Sequence, residues 1–141
     1  MMISRFTPAL MALALLVVSC AQPAESAPSD SQVVAELADS KITVNVPSVK
    51  AGKVKIGVRN LGTMEHSFEV IKTDLAPDKL AVDGASAKAN EDGKVGEIKS
   101  IAAGKSAAVT IDLVPGKYVF ICNIAGHYQL GMRTGFTVEP P

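Results

Sequence analysis

The sequence predicts an all-β domain, built as a sandwich or a barrel. Short apolar runs of strand length recur along the chain, and turn-forming Gly, Pro, Asn and Asp residues separate them. Several runs alternate polar and apolar residues, which is the period of a strand with one buried face. The chain has 141 residues, of which 48% are hydrophobic, so it is long enough for one domain with its own core.

Seven segments have strand character. In chain order they are 41–46, 53–59, 67–72, 95–101, 106–113, 118–122 and 134–138. The segment 118–122 is apolar throughout, so we expect it to be buried on both faces. An earlier run, 32–37, predicts either one more strand or a short helix.

The segment 73–94 interrupts this pattern. It is rich in Ala, Asp, Lys and Gly and has weak periodicity. We expect a surface excursion between strands, with one or two helical turns over 77–81 and no chemistry of its own. The balance of 14 basic and 14 acidic residues offers no basic face for nucleic acid.

Residues 1–19 are predicted to be a signal peptide of the lipoprotein type. Arg5 supplies a positive charge, and residues 9–18 form an apolar run. This run is too short to span a bilayer, which needs about 20 residues. It ends in the sequence VVSC, which resembles a bacterial lipobox, so Cys20 is predicted to be lipidated. The alternative is an ordinary signal peptide that is cut nearby and leaves Cys20 unmodified.

Residues 20–31 are predicted to be the lipidated cysteine and a flexible tether. The stretch after Cys20 is rich in Ala, Pro and Ser and has no apolar period. A coil of about 11 residues reaches roughly 18–20 Å. We therefore expect an exported, membrane-anchored protein of the bacterial cell envelope, periplasmic or on the outer face, whose domain covers 32–141.

The chemistry is concentrated in one constellation of residues. The chain has two histidines, His66 and His127, and Cys122 is its only cysteine besides Cys20. Cys122, His127 and Met132 form a Cys-x4-His-x4-Met pattern between two predicted strands, and His66 begins an earlier strand. A lone cysteine or methionine is usually core filler. Here, however, both histidines and the one remaining thiol of the chain fall in a single pattern of metal-ligand residues, and this favours a metal site.

These ligand types point to copper. Two histidines and a cysteine in one plane, with a weak axial methionine, make the blue-copper electron-transfer site. Zinc normally takes four firm ligands, and an iron–sulfur cluster requires more cysteines than this chain has. Gly126 and Gly131 would let the ligand loop bend tightly around the metal.

The sequence FICNIAGH at 120–127, followed by Met132 and preceded by His66-Ser67-Phe68, resembles the cupredoxin family. Its loop spacing is most similar to the auracyanin, rusticyanin and sulfocyanin members. The resemblance implies a Greek-key β-sandwich of about seven or eight strands. It also implies one copper ion that alternates between Cu(I) and Cu(II), with Cys122, His66 and His127 in the plane and Met132 axial.

The resemblance further implies that His127 lies near the surface as the portal for electrons. Four apolar residues would form a docking patch around it: Leu61, Met64, Ala125 and Leu130. Ala125 stands where family members often have proline, and Ser67 where they often have asparagine. These two departures leave the hydrogen bonding to the sulfur open.

The function predicted from these residues is one-electron transfer between redox partner proteins at a membrane surface, by a monomer. One alternative is copper storage or delivery, although such proteins tend to use exposed, exchangeable sites. An enzyme is not expected, because a Cys–His nucleophilic pair would lack an orienting third residue. A copper oxidase would need more histidines than the two present.

Overall fold

The computed structural model describes residues 23–141, which form a sandwich of two β-sheets. The predicted signal peptide and Cys20 lie outside the described residues. The described part of the chain contains no helix that is long and apolar enough to cross a membrane. Its elements are β1 Val33–Ala38, β2 Lys41–Val44, β3 Ser48–Lys50, β4 Gly52–Asn60, β5 His66–Lys72, β6 Val82–Asp83, β7 Lys88–Ala89, β8 Lys94–Ile101, β9 Ser106–Leu113, β10 Gly116–Ile121, α1 His127–Leu130 and β11 Arg133–Glu139.

The first sheet has the strand order β2-β1-β4-β9. β1 pairs in parallel with β4, and the other neighbours are antiparallel. Alternate residues of β1, namely Val33, Ala35 and Leu37, are fully buried. The run at 32–37 is therefore a strand and not a short helix, because its period of two places every second side chain in the core.

The second sheet has the order β3-β11-β10-β5-β8, with β10 at its centre. The prediction that β10 is buried on both faces is confirmed. Tyr118 and Phe120 point into the main core between the sheets. Val119 and Ile121 point to the other face, where they pack in a second cluster with Tyr128. This second cluster explains why the strand is apolar throughout.

The predicted sandwich is confirmed, but the strands number eleven among the residues that the structure describes. Three of them are very short, because β3 has three residues and β6 and β7 have two each. These short pairings carry no periodic pattern that a sequence could reveal. The eight longer strands match the predicted segments.

The helical turns expected over 77–81 are wrong. The Lys79 N–H donates to the Ala76 carbonyl at 2.9 Å in a single turn, and β6 pairs with β7 as a small hairpin. The N–H of Leu80 donates to the Tyr128 hydroxyl at 3.0 Å. This N–H, which in a helix would bond to a backbone carbonyl, is therefore used in a tertiary contact. The excursion is thus held by the domain and not by its own periodicity.

The chain before β1 runs along the first sheet. Gln32 donates its N–H to the Lys55 carbonyl at 2.9 Å, and Glu25 donates its N–H to the Gly104 carbonyl at 2.8 Å. Of these two contacts, only that of Glu25 lies in the predicted tether, of which the structure describes residues 23–31. The boundaries of the three predicted regions remain predictions.

Candidate metal centre

Three side chains meet at one end of the sandwich. The Nδ1 atoms of His66 and His127 are 3.2 Å apart. The Sγ atom of Cys122 lies 3.8 Å from the Nδ1 of His66 and 3.5 Å from the Nδ1 of His127. His66 and Cys122 are fully buried, and His127 is partly exposed. The structure therefore brings together three of the four predicted ligands through their donor atoms.

This triangle has the size that a bound metal requires. With metal–nitrogen distances of about 2.0 Å and a metal–sulfur distance of about 2.3 Å, a trigonal plane has nitrogens about 3.5 Å apart and sulfur about 3.7 Å from each. The observed sides of 3.2, 3.5 and 3.8 Å fit that plane closely. The donor set of one thiolate and two imidazoles is also the set that copper prefers.

Met132 is fully buried and is tied to the same loop by its backbone. Its carbonyl accepts the N–H of Cys122 at 3.1 Å, and its own N–H donates to the His127 carbonyl at 3.1 Å. The fourth predicted ligand is thus hydrogen-bonded through its backbone to Cys122 and to His127, the two other ligands of the loop. A thioether is a suitable weak ligand for copper.

The ligand loop is shaped by two glycines, as the sequence predicts. Gly126 (φ 82°) precedes the single turn of α1 and Gly131 (φ 116°) ends it, both in the left-handed region. A Cβ at Gly131 would lie 2.7 Å from the Ser40 carbonyl oxygen, so a larger residue would strain the loop. The short helix itself carries His127 at its start, and the sequence pattern did not indicate it.

Asp39, in the turn between β1 and β2, holds the buried imidazole. Its Oδ1 lies 3.2 Å from the Nε2 of His66, which leaves Nδ1 directed at the metal position. Thr63 donates both its hydroxyl and its N–H to this carboxylate at 2.8 Å. These hydrogen bonds from Thr63, followed by the interaction with His66, lower the pKa of Asp39. A carboxylate behind a metal-binding histidine fixes its tautomer and its orientation.

Ser67 lies against the sulfur of Cys122. The N–H of Ser67 donates to Sγ at 3.3 Å, and its hydroxyl oxygen lies 3.5 Å from Sγ. The pairing of β5 with β8 shifts register between His66 and Phe68, which frees the Ser67 N–H from the sheet. The question that the sequence left open is answered here, because serine takes a place beside the sulfur.

The excursion 73–94 braces the ligand loop. Asn123 accepts the Ala89 N–H at 2.7 Å and donates to the Ala89 carbonyl at 3.0 Å. Gly126 donates its N–H to the Ala87 carbonyl at 2.8 Å. The Tyr128 hydroxyl donates to the Pro77 carbonyl at 2.8 Å. The excursion thus supports the site, although it supplies none of its donor atoms.

Residues 9–133 match the family model described as a cupredoxin-like domain. The chain belongs to the cupredoxin-like family. No curated protein sequence matches it.

Solved cupredoxin structures share this fold at low sequence identity. Auracyanin from Roseiflexus castenholzii is 22% identical, with a TM-score of 0.56 over 78% of this chain and 99% of that chain. Rusticyanin from Thiobacillus ferrooxidans is 20% identical, with a TM-score of 0.53 over 76% of this chain and 75% of that one. Auracyanin A from Chloroflexus aurantiacus is 17% identical, with a TM-score of 0.52 over 75% and 98%.

The cupredoxin fold and its donor set together make this a site for one copper ion. Among the histidine, cysteine and acidic side chains of residues 23–141, one group has donor atoms that all lie within 4.8 Å of one another. This group consists of His66, Cys122 and His127. Desolvation, and then the proximity of His66, lower the pKa of His127, which favours the neutral imidazole that binds a metal.

Several supporting residues escaped the sequence reasoning: Asp39, Thr63, Asn123 and Tyr128. Asp39 and Thr63 come from distant parts of the chain, and Asn123 and Tyr128 follow Cys122 and His127 without belonging to the ligand pattern. Only Asn123 carried a local signal, because it follows Cys122 directly and is a polar residue at the end of a fully apolar strand. The four residues of the predicted docking patch are exposed, and their contact with a partner remains a prediction.

Proposed function

We propose that this cupredoxin is a type 1 copper protein that carries one electron at a time between redox partner proteins. Cys122, His66 and His127 would hold the copper ion, and the thioether of Met132 would add a weak fourth ligand. The observation that carries the proposal is the triangle of one sulfur and two nitrogens, with sides of 3.2, 3.5 and 3.8 Å. Auracyanin A, with the same fold, is described as a blue copper protein.

Copper supplies the exchange of single electrons by alternating between Cu(I) and Cu(II). The chain contributes rigidity, because β5 and β10 are hydrogen-bonded neighbours and the excursion holds the ligand loop. Donor atoms that cannot move keep the ligand geometry similar in both oxidation states. The buried Cys122 is protected from oxidation by solvent species, and His127 provides the partly exposed edge.

The visible spectrum and the EPR spectrum of the Cu(II)-loaded protein test the proposal. We expect an intense charge-transfer band from thiolate to copper and a narrow copper hyperfine splitting. Cys122→Ser should abolish both signals, while Gln129→Ala, an exposed change in the same loop, should leave them intact. A weak, tetragonal spectrum in the unmodified protein would contradict the thiolate ligand and favour copper storage or delivery, which fast copper exchange would then support.

The proposal includes a location at a membrane of the bacterial cell envelope, on its periplasmic or outer face. It is supported by the apolar run 9–18 and by the lipobox-like sequence that ends in Cys20. More than one acyl chain on Cys20 would anchor the protein stably. Mass spectrometry of the mature protein should find Cys20 as a lipidated N-terminus, and Cys20→Ala should release the protein from membranes. An unmodified cysteine would contradict the anchor and leave the copper site unaffected.

A further inference from the structure

The chain ahead of β1 follows a defined path along the first sheet. We call residues 23–31 the N-terminal strap. Asp30 pairs with Lys55 at 2.7 Å, and the Glu25 carbonyl accepts a hydrogen bond from Arg59 at 3.1 Å. β4 runs from Gly52 to Asn60. The last residues of the strap therefore lie beside the middle of β4, and the first residues of the strap lie beside the C-terminal end of β4.

The strap packs over Gly57, where little space is left for a Cβ atom. A Cβ at Gly57 would lie 2.4 Å from the Ser31 hydroxyl and 3.2 Å from the Ala27 Cβ. Both of these atoms belong to the strap. A side chain at this position would therefore crowd Ser31 and Ala27 and loosen the contact between the strap and β4.

Glu25 fastens the outer end of the strap. Its N–H donates to the Gly104 carbonyl at 2.8 Å. Its carboxylate accepts the Ser106 N–H at 3.2 Å and pairs with Lys105 at 2.8 Å. An exposed ion pair alone contributes little to stability. The N–H and the carbonyl of Glu25, however, are hydrogen-bonded to Gly104 and to Arg59 of β4, which defines one position for this part of the strap.

The first described residues of the strap lie at the metal end of the sandwich. Pro23 and Ala24 line one groove together with Leu61 and Gly62. Gly62 in turn lies against the metal-site histidine, since a Cβ there would be 2.7 Å from the Nε2 of His66. The chain therefore enters the domain beside the copper site and not at the opposite end.

We propose that the strap holds the domain with its metal end facing the lipid bilayer surface. This inference rests on the proposed lipidation of Cys20, which is separated from Pro23 by two residues. A link of that length spans at most about 10 Å, whereas the domain is about 35 Å across. A free coil over the whole tether would instead let the domain turn in any direction.

The surface at the metal end suits a bilayer interface. Three large apolar side chains are exposed there: Leu61 by 44%, Met64 by 48% and Leu130 by 67%. In this orientation these side chains and His127 lie near the lipid headgroups, where a partner held in the same membrane can reach His127. The electron donor or acceptor is then a membrane-held protein and not one that approaches from the opposite side.

Lipidated full-length protein in phospholipid vesicles with nitroxide-labelled headgroups tests the orientation. Cu(II) relaxes nearby nitroxides, and the effect of one ion on a plane of spins falls with the fourth power of its distance. A metal about 20 Å from the headgroups should relax them about tenfold more than a metal about 35 Å away. Gly57→Ala should release the strap and reduce the effect. Gly84→Ala, where a Cβ meets no atom within 4 Å, should not.

One further measurement separates a failure of the strap from a failure of the orientation. Amide hydrogen exchange of the full chain should show protection of the Glu25 N–H in the unmodified protein and its loss in Gly57→Ala. Free exchange of this group in the unmodified protein would overturn the strap. Weak nitroxide relaxation by the lipidated protein would overturn the orientation and leave the strap and the anchor intact. Strong relaxation that appears only when another protein is added would do the same. A chain without lipid on Cys20 would overturn the anchor and the orientation with it.

Discussion

Glu69 is a buried carboxyl group whose ionisation should control the stability of the domain. It lies on β5 with 5% of its surface exposed, and its Oε2 accepts the Asn123 N–H at 3.1 Å. Burial raises the pKa of Glu69 from an ordinary 4.5 to about 7, and the nearby charge of Glu91 adds to this effect. Hydrogen bonds from Ser67 and Asn123, and the charge of Lys94, oppose it without reversing it.

The direction of the pH dependence follows from this raised pKa. The folded protein holds the proton more tightly than the unfolded chain does, so protonation stabilises the fold. The stabilisation is complete below pH 4.5 and is lost as the pH rises to about 7. At 1.36 kcal/mol for each pKa unit, the whole effect is about 3 kcal/mol, of which about 2.5 kcal/mol falls between pH 5 and pH 8.

The assay is denaturant unfolding of the copper-free protein at pH 5 and at pH 8. Glu69→Gln keeps the shape of the neutral carboxyl group and cannot ionise. The variant should resemble the unmodified protein at pH 5 and exceed its unfolding free energy by about 2.5 kcal/mol at pH 8. Glu65→Gln, a change at an exposed carboxyl group, is the matched control. Parallel pH profiles for the unmodified protein and Glu69→Gln would refute the reasoning.

Three other predictions concern the metal end. Gly131→Ala should cost about 1–3 kcal/mol of unfolding free energy and weaken copper binding, because its Cβ would meet the Ser40 carbonyl at 2.7 Å; a stable, fully loaded variant would contradict this. Ser67→Ala should lower the reduction potential by about 40 mV, the equivalent of about 1 kcal/mol, by removing a hydroxyl 3.5 Å from the sulfur. An unchanged reduction potential in voltammetry would mean that this hydroxyl hydrogen-bonds only to Glu69, 3.3 Å away. Leu130→Asp should slow electron exchange with a partner and preserve the visible spectrum; a changed spectrum with unchanged exchange would argue against the docking patch.

The sequence by itself determined the fold class and the ligand types. Runs of strand length are local features, so seven of the eight longer strands were visible without knowledge of their partners, whereas the run 32–37 was left open between a strand and a short helix. Residue type alone also limits metal chemistry, because the chain has few residues that bind soft metals. The pattern of Cys122, His127 and Met132 was therefore readable before any pairing of strands was known.

Only the tertiary structure decided what surrounds those ligands. Asp39 reaches His66 because two turns meet at one end of the sandwich, and Asn123 reaches Ala89 because the excursion folds back over β10. The strap, which the composition of its residues describes as a free tether, is instead held along β4 by contacts with Gly57 and Arg59. Such contacts join residues far apart in the chain through shape and hydrogen bonding. They leave no periodic trace in the sequence, and only the packed fold reveals them.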